Sequence, residues 1–279
     1  MKLKEKLREL TQLKKGLLAT NYYDLETLHG VLQAAAETKQ PVILQLTQSS
    51  IDYMGLKTAV NLGRNGLEEF GVEGWIHLDH GGSVELVQRC LDAGFDSVMI
   101  DGSELPFEDN IRLTREVVER AKLYGAHVEA ELGYVAKLGQ SHHTTGFTQP
   151  DEAAAFVEET GVDALAVAIG TAHGFYKEEP RLDIDLLRKI ADKTAATLVL
   201  HGSSGVPHTQ VQQAISNGIC KVNLATEIKN IFMASLKAEL THNQDIDLRR
   251  VFPKATFKIT ELVKTKLEMV ENVMMKFNS

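Results

Sequence analysis

DALAVAIGTAHGFYKEEPRLDIDLLRKIADKTAATLVLHG, residues 163–202, decides the fold. It opens on a β-rich apolar run (163–170), passes through the helical pattern DIDLLRKIADKT, and closes on a second apolar run, ATLVLHG (196–202). Near-continuous apolar strands separated by a helix belong to a parallel sheet whose faces are covered. The unit recurs toward both ends. Similar runs stand at 16–21 (GLLATN), 41–47 (PVILQLT), 74–80 (GWIHLDH), 96–102 (DSVMIDG), 127–133 (HVEAELG) and 220–226 (CKVNLAT). Several of the helical patterns between them close on Gly, as a helix C-terminus does. Eight such units in 279 residues fit a (β/α)8 TIM barrel better than a doubly wound sheet. No GxGxxG follows the first run and no GxxxxGK[ST] occurs. The expected organisation is one domain over 1–279. Its barrel covers 15–235, and a helical extension covers 236–279, broken around Asp245 to Pro253.

Composition excludes several classes. With 43% hydrophobic and 24% charged residues the chain has material for a core and is not a disordered segment. A net charge of −8 argues against a nucleic-acid groove, which needs concentrated Lys and Arg. No apolar run approaches the roughly 18 residues of a membrane span. MKLKEKLREL reads as a charged helix rather than a signal peptide. Cys90 and Cys220 stand apart without a CxxC and read as small buried apolar residues. The expected location is cytoplasmic, with neither nucleic acid nor membrane as partner.

In a barrel of this kind chemistry belongs at the C-terminal ends of the strands. Those positions hold Asn21, Gln45, Asp79 with His80, Asp101, Glu131, the segment after the sixth strand that ends in His173, His201 and Asn223, while the strand interiors read as almost wholly apolar. Helix capping explains a residue such as Asp24 but not three histidines and three acids on one rim. His80, His173 and His201 are far apart in sequence, with no local HExxH, and only the barrel brings them together. Three neutral imidazoles form a usual catalytic zinc set that leaves positions open for water or substrate oxygens. His77, inside its strand, reads as packing or as support for a ligand. A second pattern follows the late strands: Gly174 and Lys177 after His173, Gly202-Ser203-Ser204-Gly205 after His201, and Asn223 to Thr226. Gly-rich loops there commonly hold a phosphate. Alone, GSSG reads equally well as a tight turn before HTQVQQAIS; beside a metal cluster it favours a phosphorylated substrate.

HLDHG, VMIDGS, VEAELG, AVAIGTAHGFYKEEP, LVLHGSSGVP and KVNLATEI, in this order, resemble the class II, metal-dependent fructose-bisphosphate and tagatose-bisphosphate aldolases, over residues 15–265. The resemblance implies His80, His173 and His201 as ligands of a catalytic Zn2+, and Asp79 as the catalytic acid/base. It implies Asp101 and Glu131 at the position of a second, non-catalytic or alternate metal, and a monovalent cation near Gly174 and Lys177. Gly174, Lys177, Gly202, Ser203, Ser204, Asn223, Leu224, Ala225 and Thr226 match the site of the substrate's C1 phosphate, and Asn21 and Gln45 match substrate-facing strand ends. The implied reaction is reversible aldol cleavage of a ketose 1-phosphate or 1,6-bisphosphate to dihydroxyacetone phosphate and a three-carbon aldehyde. The implied assembly is a homodimer or homotetramer.

The chain departs from the family pattern in three places. The family's mobile loop carries acidic residues, whereas YVAKLGQSHHTTGF (134–147) is shorter and has none; Tyr134, His142 and His143 are the candidates for moving the C3 proton. Thr47 stands where relatives have a serine for the distal C6 phosphate, and Arg249 in DLRRVF matches the basic residue expected there only in part. A ketose 1-phosphate with another terminal group, such as the 6-sulfonate, therefore stays open. So does a non-catalytic, chaperone-like aldolase subunit. A Schiff-base aldolase would need a desolvated lysine within a strand, for which Lys221 is the candidate.

Overall fold

The first element of the computed structural model is a helix, α1 (Leu3–Leu13), placed beneath the barrel. The structure describes residues 1–133, 136–137, 146–174, 176 and 179–271. Then follow β1 (Leu17–Asn21), α2 (Leu25–Thr38), β2 (Val42–Leu46), α3 (Gln48–Met54), α4 (Leu56–Phe70), β3 (Gly74–Gly81), α5 (Val84–Asp92), β4 (Ser97–Ile100) and α6 (Phe107–Lys122). Next come β5 (His127–Leu132), β6 (Ala136–Lys137), α7 (Pro150–Thr160), β7 (Ala164–Val167), β8 (Ala172–His173), α8 (Ile184–Lys193), β9 (Thr197–Leu200) and α9 (His208–Ser216). The chain ends in β10 (Ile219–Leu224), α10 (Thr226–His242) and α11 (Leu248–Glu271).

Eight parallel strands close in the order β1-β10-β9-β7-β5-β4-β3-β2, while β6 and β8 pair with each other above the rim. This is the expected (β/α)8 barrel. Polar side chains start several of its helices: Asp24 accepts from Thr27 N at 2.8 Å, Ser83 from Leu86 N at 3.2 Å and Asp183 from Leu186 N at 2.9 Å. The main apolar core lies between strands and helices. A separate cluster closes the bottom of the barrel, where Leu3, Leu7 and Leu10 of α1 meet Leu17, Ala19, Ile43 and Trp75.

Leu236, the expected start of the extension, falls inside α10; the helices break over 243–247, and Pro253 lies within α11. α11 packs back on α2 through Gly30, where a Cβ would sit 2.7 Å from Ile259 Cβ and 2.9 Å from the Thr256 carbonyl. None of the described helices is long and apolar enough to cross a membrane.

The register shows what the barrel encloses. Gln45, His77, Ser97 and His127 pair in sequence around β2 to β5, and Lys221, Glu129 and Glu131 also occupy inward positions. The expected apolar strand interior is thus corrected on the inward face: the middle of the barrel is polar and buried.

Candidate active site

Asp79 and His80 are neighbours in sequence, so a regular strand would point them to opposite faces. β3 avoids this with a bulge. Leu78 pairs with Val98 but Gly81 pairs with Ile100, so one extra residue is fitted into β3. His80 takes the left-handed conformation, φ 50°, and its ring turns to the same rim as Asp79. Gly81 follows because a Cβ there would lie 2.4 Å from the Met99 carbonyl.

His173 arrives from β8 and His201 from the end of β9. The ring centroids are 5.0 Å apart for His80 and His173, 4.8 Å for His80 and His201, and 5.9 Å for His173 and His201. One nitrogen of each lies within 4.8 Å of the others, and His80, Asp101 and Glu131 form a second such set.

Hydrogen bonds fix where the lone pairs point. His80 Nδ1 contacts Asp101 Oδ2 at 2.7 Å, and His201 Nε2 contacts Glu129 Oε1 at 3.0 Å. Ionised carboxylates only accept, so each of these ring nitrogens carries the proton. The remaining atoms, His80 Nε2 and His201 Nδ1, face each other at 3.2 Å. Glu131 Oε2 is buried, lacks a hydrogen-bond donor and lies 3.2 Å from His201 Nδ1. Three electron-rich atoms therefore converge on one point. Burial works against an imidazolium at His201, but Glu129 and Glu131 outweigh it and push its pKa up to about 10, so in the metal-free protein a proton occupies His201 Nδ1, where a metal would take its place. The donor set calls for a cation, and a divalent metal fits it.

Asp79 borders this point, with Oδ1 4.0 Å from His80 Nε2. Asn21 Nδ2 donates to its Oδ2 at 3.1 Å and Asn223 Nδ2 to its Oδ1 at 3.3 Å. Burial opposes its charge, yet His80, His201 and Lys221 hold its pKa below the ordinary carboxylate value. Asp79 is an ionised base at neutral pH.

A cavity of about 240 Å³ opens over these groups, lined by Asn21, Thr47, Asp79, His80, His173, Gly174, Gly202, Ser203, Ser204, Asn223, Ala225 and Thr226. Its loops are interlocked. Gly202, φ 64°, passes so close to β8 that a Cβ would meet the Ala172 carbonyl at 2.5 Å. Tyr176 Oη accepts from Ala172 N at 2.6 Å and donates to the Gly202 carbonyl at 2.8 Å, and Ser203 Oγ donates to the Asn223 carbonyl.

The family model for class II fructose-bisphosphate aldolase matches residues 1–274. The chain belongs to the class II fructose-bisphosphate aldolase family. This aldolase, an aldehyde-lyase, is 42% identical over 257 residues to the fructose-bisphosphate aldolase of Geobacillus stearothermophilus, covering 89% of each chain. It is 40% identical over 240 residues to the D-tagatose-1,6-bisphosphate aldolase subunit GatY of Klebsiella oxytoca, covering 85% of this chain and 84% of that one. The crystal structure of the YdjI aldolase from Escherichia coli K12 superimposes with a TM-score of 0.85 at 32% identity, over 96% of both chains.

Most of the residues singled out by sequence meet at this rim in the aldolase. Gln45 is buried below Asp79, and Leu224 is buried within β10, outside the cavity lining. Arg249 is not brought to the site: in the first turn of α11 it pairs with Asp247 and lines a separate groove between α2 and α11. Lys221 is paired with Glu129 at 2.7 Å inside the barrel and does not line the cavity, unlike a Schiff-base lysine. Lys177, Tyr134, His142 and His143 lie outside the described residues. Tyr23, Ser49 and Lys229 line the cavity with no motif to mark them. Glu129 was discoverable from alternation: His127, Glu129 and Glu131 are polar at every second position of one strand.

Proposed function

We propose that this aldolase reversibly cleaves a ketose 1-phosphate or 1,6-bisphosphate of the fructose or tagatose type to dihydroxyacetone phosphate and a three-carbon aldehyde. The reading takes the whole chain as one catalytic domain. The observation that carries it is an ionised Asp79 beside the converging ring nitrogens of His80, His173 and His201, at the floor of a cavity walled by Gly- and Ser-rich loops. In this reading His80, His173 and His201 hold zinc, and Asp101 and Glu131 offer a second cation position sharing His80. When bound, zinc would supply Lewis-acid withdrawal of charge from the ketose carbonyl.

The remaining chemistry falls to the chain's own groups. Asp79 Oδ1 or Oδ2 accepts the C4 hydroxyl proton as the C3–C4 bond breaks, and the bond's electron pair passes toward the C2 carbonyl oxygen. C3 then takes up a proton to give dihydroxyacetone phosphate, and in condensation Asp79 returns its proton to the aldehyde oxygen. Asn21 and Asn223 hold that carboxylate in one orientation. Gly174, Gly202, Ser203, Ser204 and the 223–226 segment at the start of α10 cradle the C1 phosphate with backbone N–H groups.

Lys229, its Nζ 5.5 Å from the Tyr23 ring centroid, is the lysine among the described cavity residues, and in this reading it serves the distal end together with Thr47 and Ser49. Arg249 stands elsewhere, which supports a second reading in which the C6 substituent is an anion other than phosphate, including a sulfonate. Exposed Leu248 and Phe257 on α11 support a homodimer or homotetramer, and the chemistry suits a cytoplasmic enzyme. Cleavage is to be measured with fructose 1,6-bisphosphate, tagatose 1,6-bisphosphate, fructose 1-phosphate and the 6-sulfonate analogue, before and after chelation. Loss of activity on chelation and recovery with zinc is expected. Full activity in metal-free enzyme would overturn the reading.

A further inference from the structure

Below the cavity lies a buried chain of polar groups for which the proposed reaction has no direct use. At its centre is Lys221, 1% exposed. An ammonium can only donate, and three acceptors surround it. Glu129 Oε2 lies at 2.7 Å, His77 Nε2 at 3.3 Å and Gln45 Oε1 at 3.3 Å. The Gln45 amide is oriented by its neighbours: its nitrogen donates to the Ala19 carbonyl at 3.2 Å, while its oxygen accepts from Lys221 and, at 3.0 Å, from Asn223. The reverse orientation offers one 3.4 Å contact to Asp79 and sets an N–H group against those two donors.

The donor-only centre sets the direction of every bond leaving it. His77 must present a lone pair at Nε2, so its proton sits on Nδ1 and is donated to Ser97 Oγ at 2.8 Å. The Ser97 hydroxyl proton then goes to His127 Nδ1 at 3.2 Å. On the other arm, Glu129 uses one oxygen for Lys221 and accepts from His201 Nε2–H with the other. Once a metal displaces the proton from Nδ1, His201 is neutral, its remaining proton is held on Nε2 by Glu129, and its Nδ1 lone pair faces the cavity floor.

We propose that Lys221, acting through Glu129, is the positioning residue that fixes the tautomer of His201 and presents its Nδ1 to the metal. The inference rests on the zinc reading above. It makes a specific prediction about carboxamides. In Glu129→Gln the ammonium claims the single carbonyl oxygen and turns the NH2 group toward His201. That ring must then accept at Nε2, which places its proton on Nδ1, where the metal would bind. In Lys221→Met with Glu129→Gln the claim on the oxygen is gone, so the amide turns over and the original tautomer returns. Replacing both buried charges with neutral groups is also the change a core tolerates better.

The test is zinc affinity of apoprotein by competition with a chromophoric chelator. Glu129→Gln should bind zinc about 10- to 100-fold more weakly, and the double variant should recover to within about threefold of the parent. A double variant as weak as the single one, or weaker, overturns the proposal. A parent protein that takes up no zinc overturns the metal reading instead. Should Glu129→Gln fail to fold, nitrogen NMR of histidine-labelled, zinc-loaded parent protein decides. Protons on Nδ1 of His77 and on Nε2 of His127 and His201 are expected. A His77 proton on Nε2, or His201 bound through Nε2, overturns it.

Discussion

Gly81→Ala tests whether the β3 bulge sets the catalytic geometry. The added Cβ would lie 2.4 Å from the Met99 carbonyl and 2.9 Å from Leu78 Cδ2, whereas ordinary contact begins near 3.4 Å. The difference, 3.4 − 2.4 = 1.0 Å, is the movement required along the Met99 direction. Little of it can come from β4, which is paired to β5 on its far side through Met99 with Glu129 and Ile100 with Ala130. The bulge must therefore shift, taking with it His80, already at φ 50°, and Asp79. A displacement of that size at a reacting group lowers turnover about 100-fold, while overpacking of this kind destabilises by about 1–3 kcal/mol. The assay is kcat/KM for cleavage at saturating zinc, well below the unfolding midpoint, with zinc content measured on the same samples. Gly82→Ala is the control, since the nearest atom to its new Cβ is 4.0 Å away, and it should behave like the parent. A folded Gly81→Ala enzyme with kcat/KM within about threefold of the parent would refute the positioning role of the bulge.

Three further outcomes follow from the site and its supports. Asp79→Ala should retain zinc but lose about 100- to 10,000-fold in kcat, read from steady-state cleavage at matched metal content. Lys229→Met should raise KM for a 1,6-bisphosphate about tenfold while leaving a 1-phosphate substrate almost unaffected; equal effects on both would remove Lys229 from the distal end. Burial pushes His127 down to about 4, below its unfolded value near 6.5. The unfolded state therefore binds the extra proton between these values, so the stabilisation is complete above pH 6.5 and is lost as pH falls toward 4. His127→Gln should reduce the loss of stability between pH 7 and pH 5 by about 2 kcal/mol, measured by urea unfolding.

The rim was legible because a parallel barrel separates two demands along each strand. Apolar outward residues record packing against helices, while the strand's last residue is free to be polar. Asp79, His80 and His201 stand out on that rule at the ends of barrel strands, and the segment after β7 returns His173 to them through β8, outside the closed barrel. Arg249 is the contrary case. Its motif match fixes a place in sequence, but the turn at 243–247 and the Asp247 contact decide where the side chain goes. Lys229 lies three residues beyond Thr226 in α10, so the helix carries it back over the cavity. No motif encodes that return.

The polar interior is hidden in the overall apolar character of each run. The information was in the phase. His77 with Asp79, His127 with Glu129 and Glu131, and Lys221 with Asn223 alternate with apolar residues. In a barrel strand both faces are buried, so alternation marks polar against apolar burial rather than inside against water. Such a column is stable only when every donor finds an acceptor, because an unpaired buried charge costs several kcal/mol. That demand explains why Lys221, Glu129, His77, Ser97 and His127 occur together. Any one of them without its neighbours would destabilise the barrel, whereas together they hold His201 in place from below.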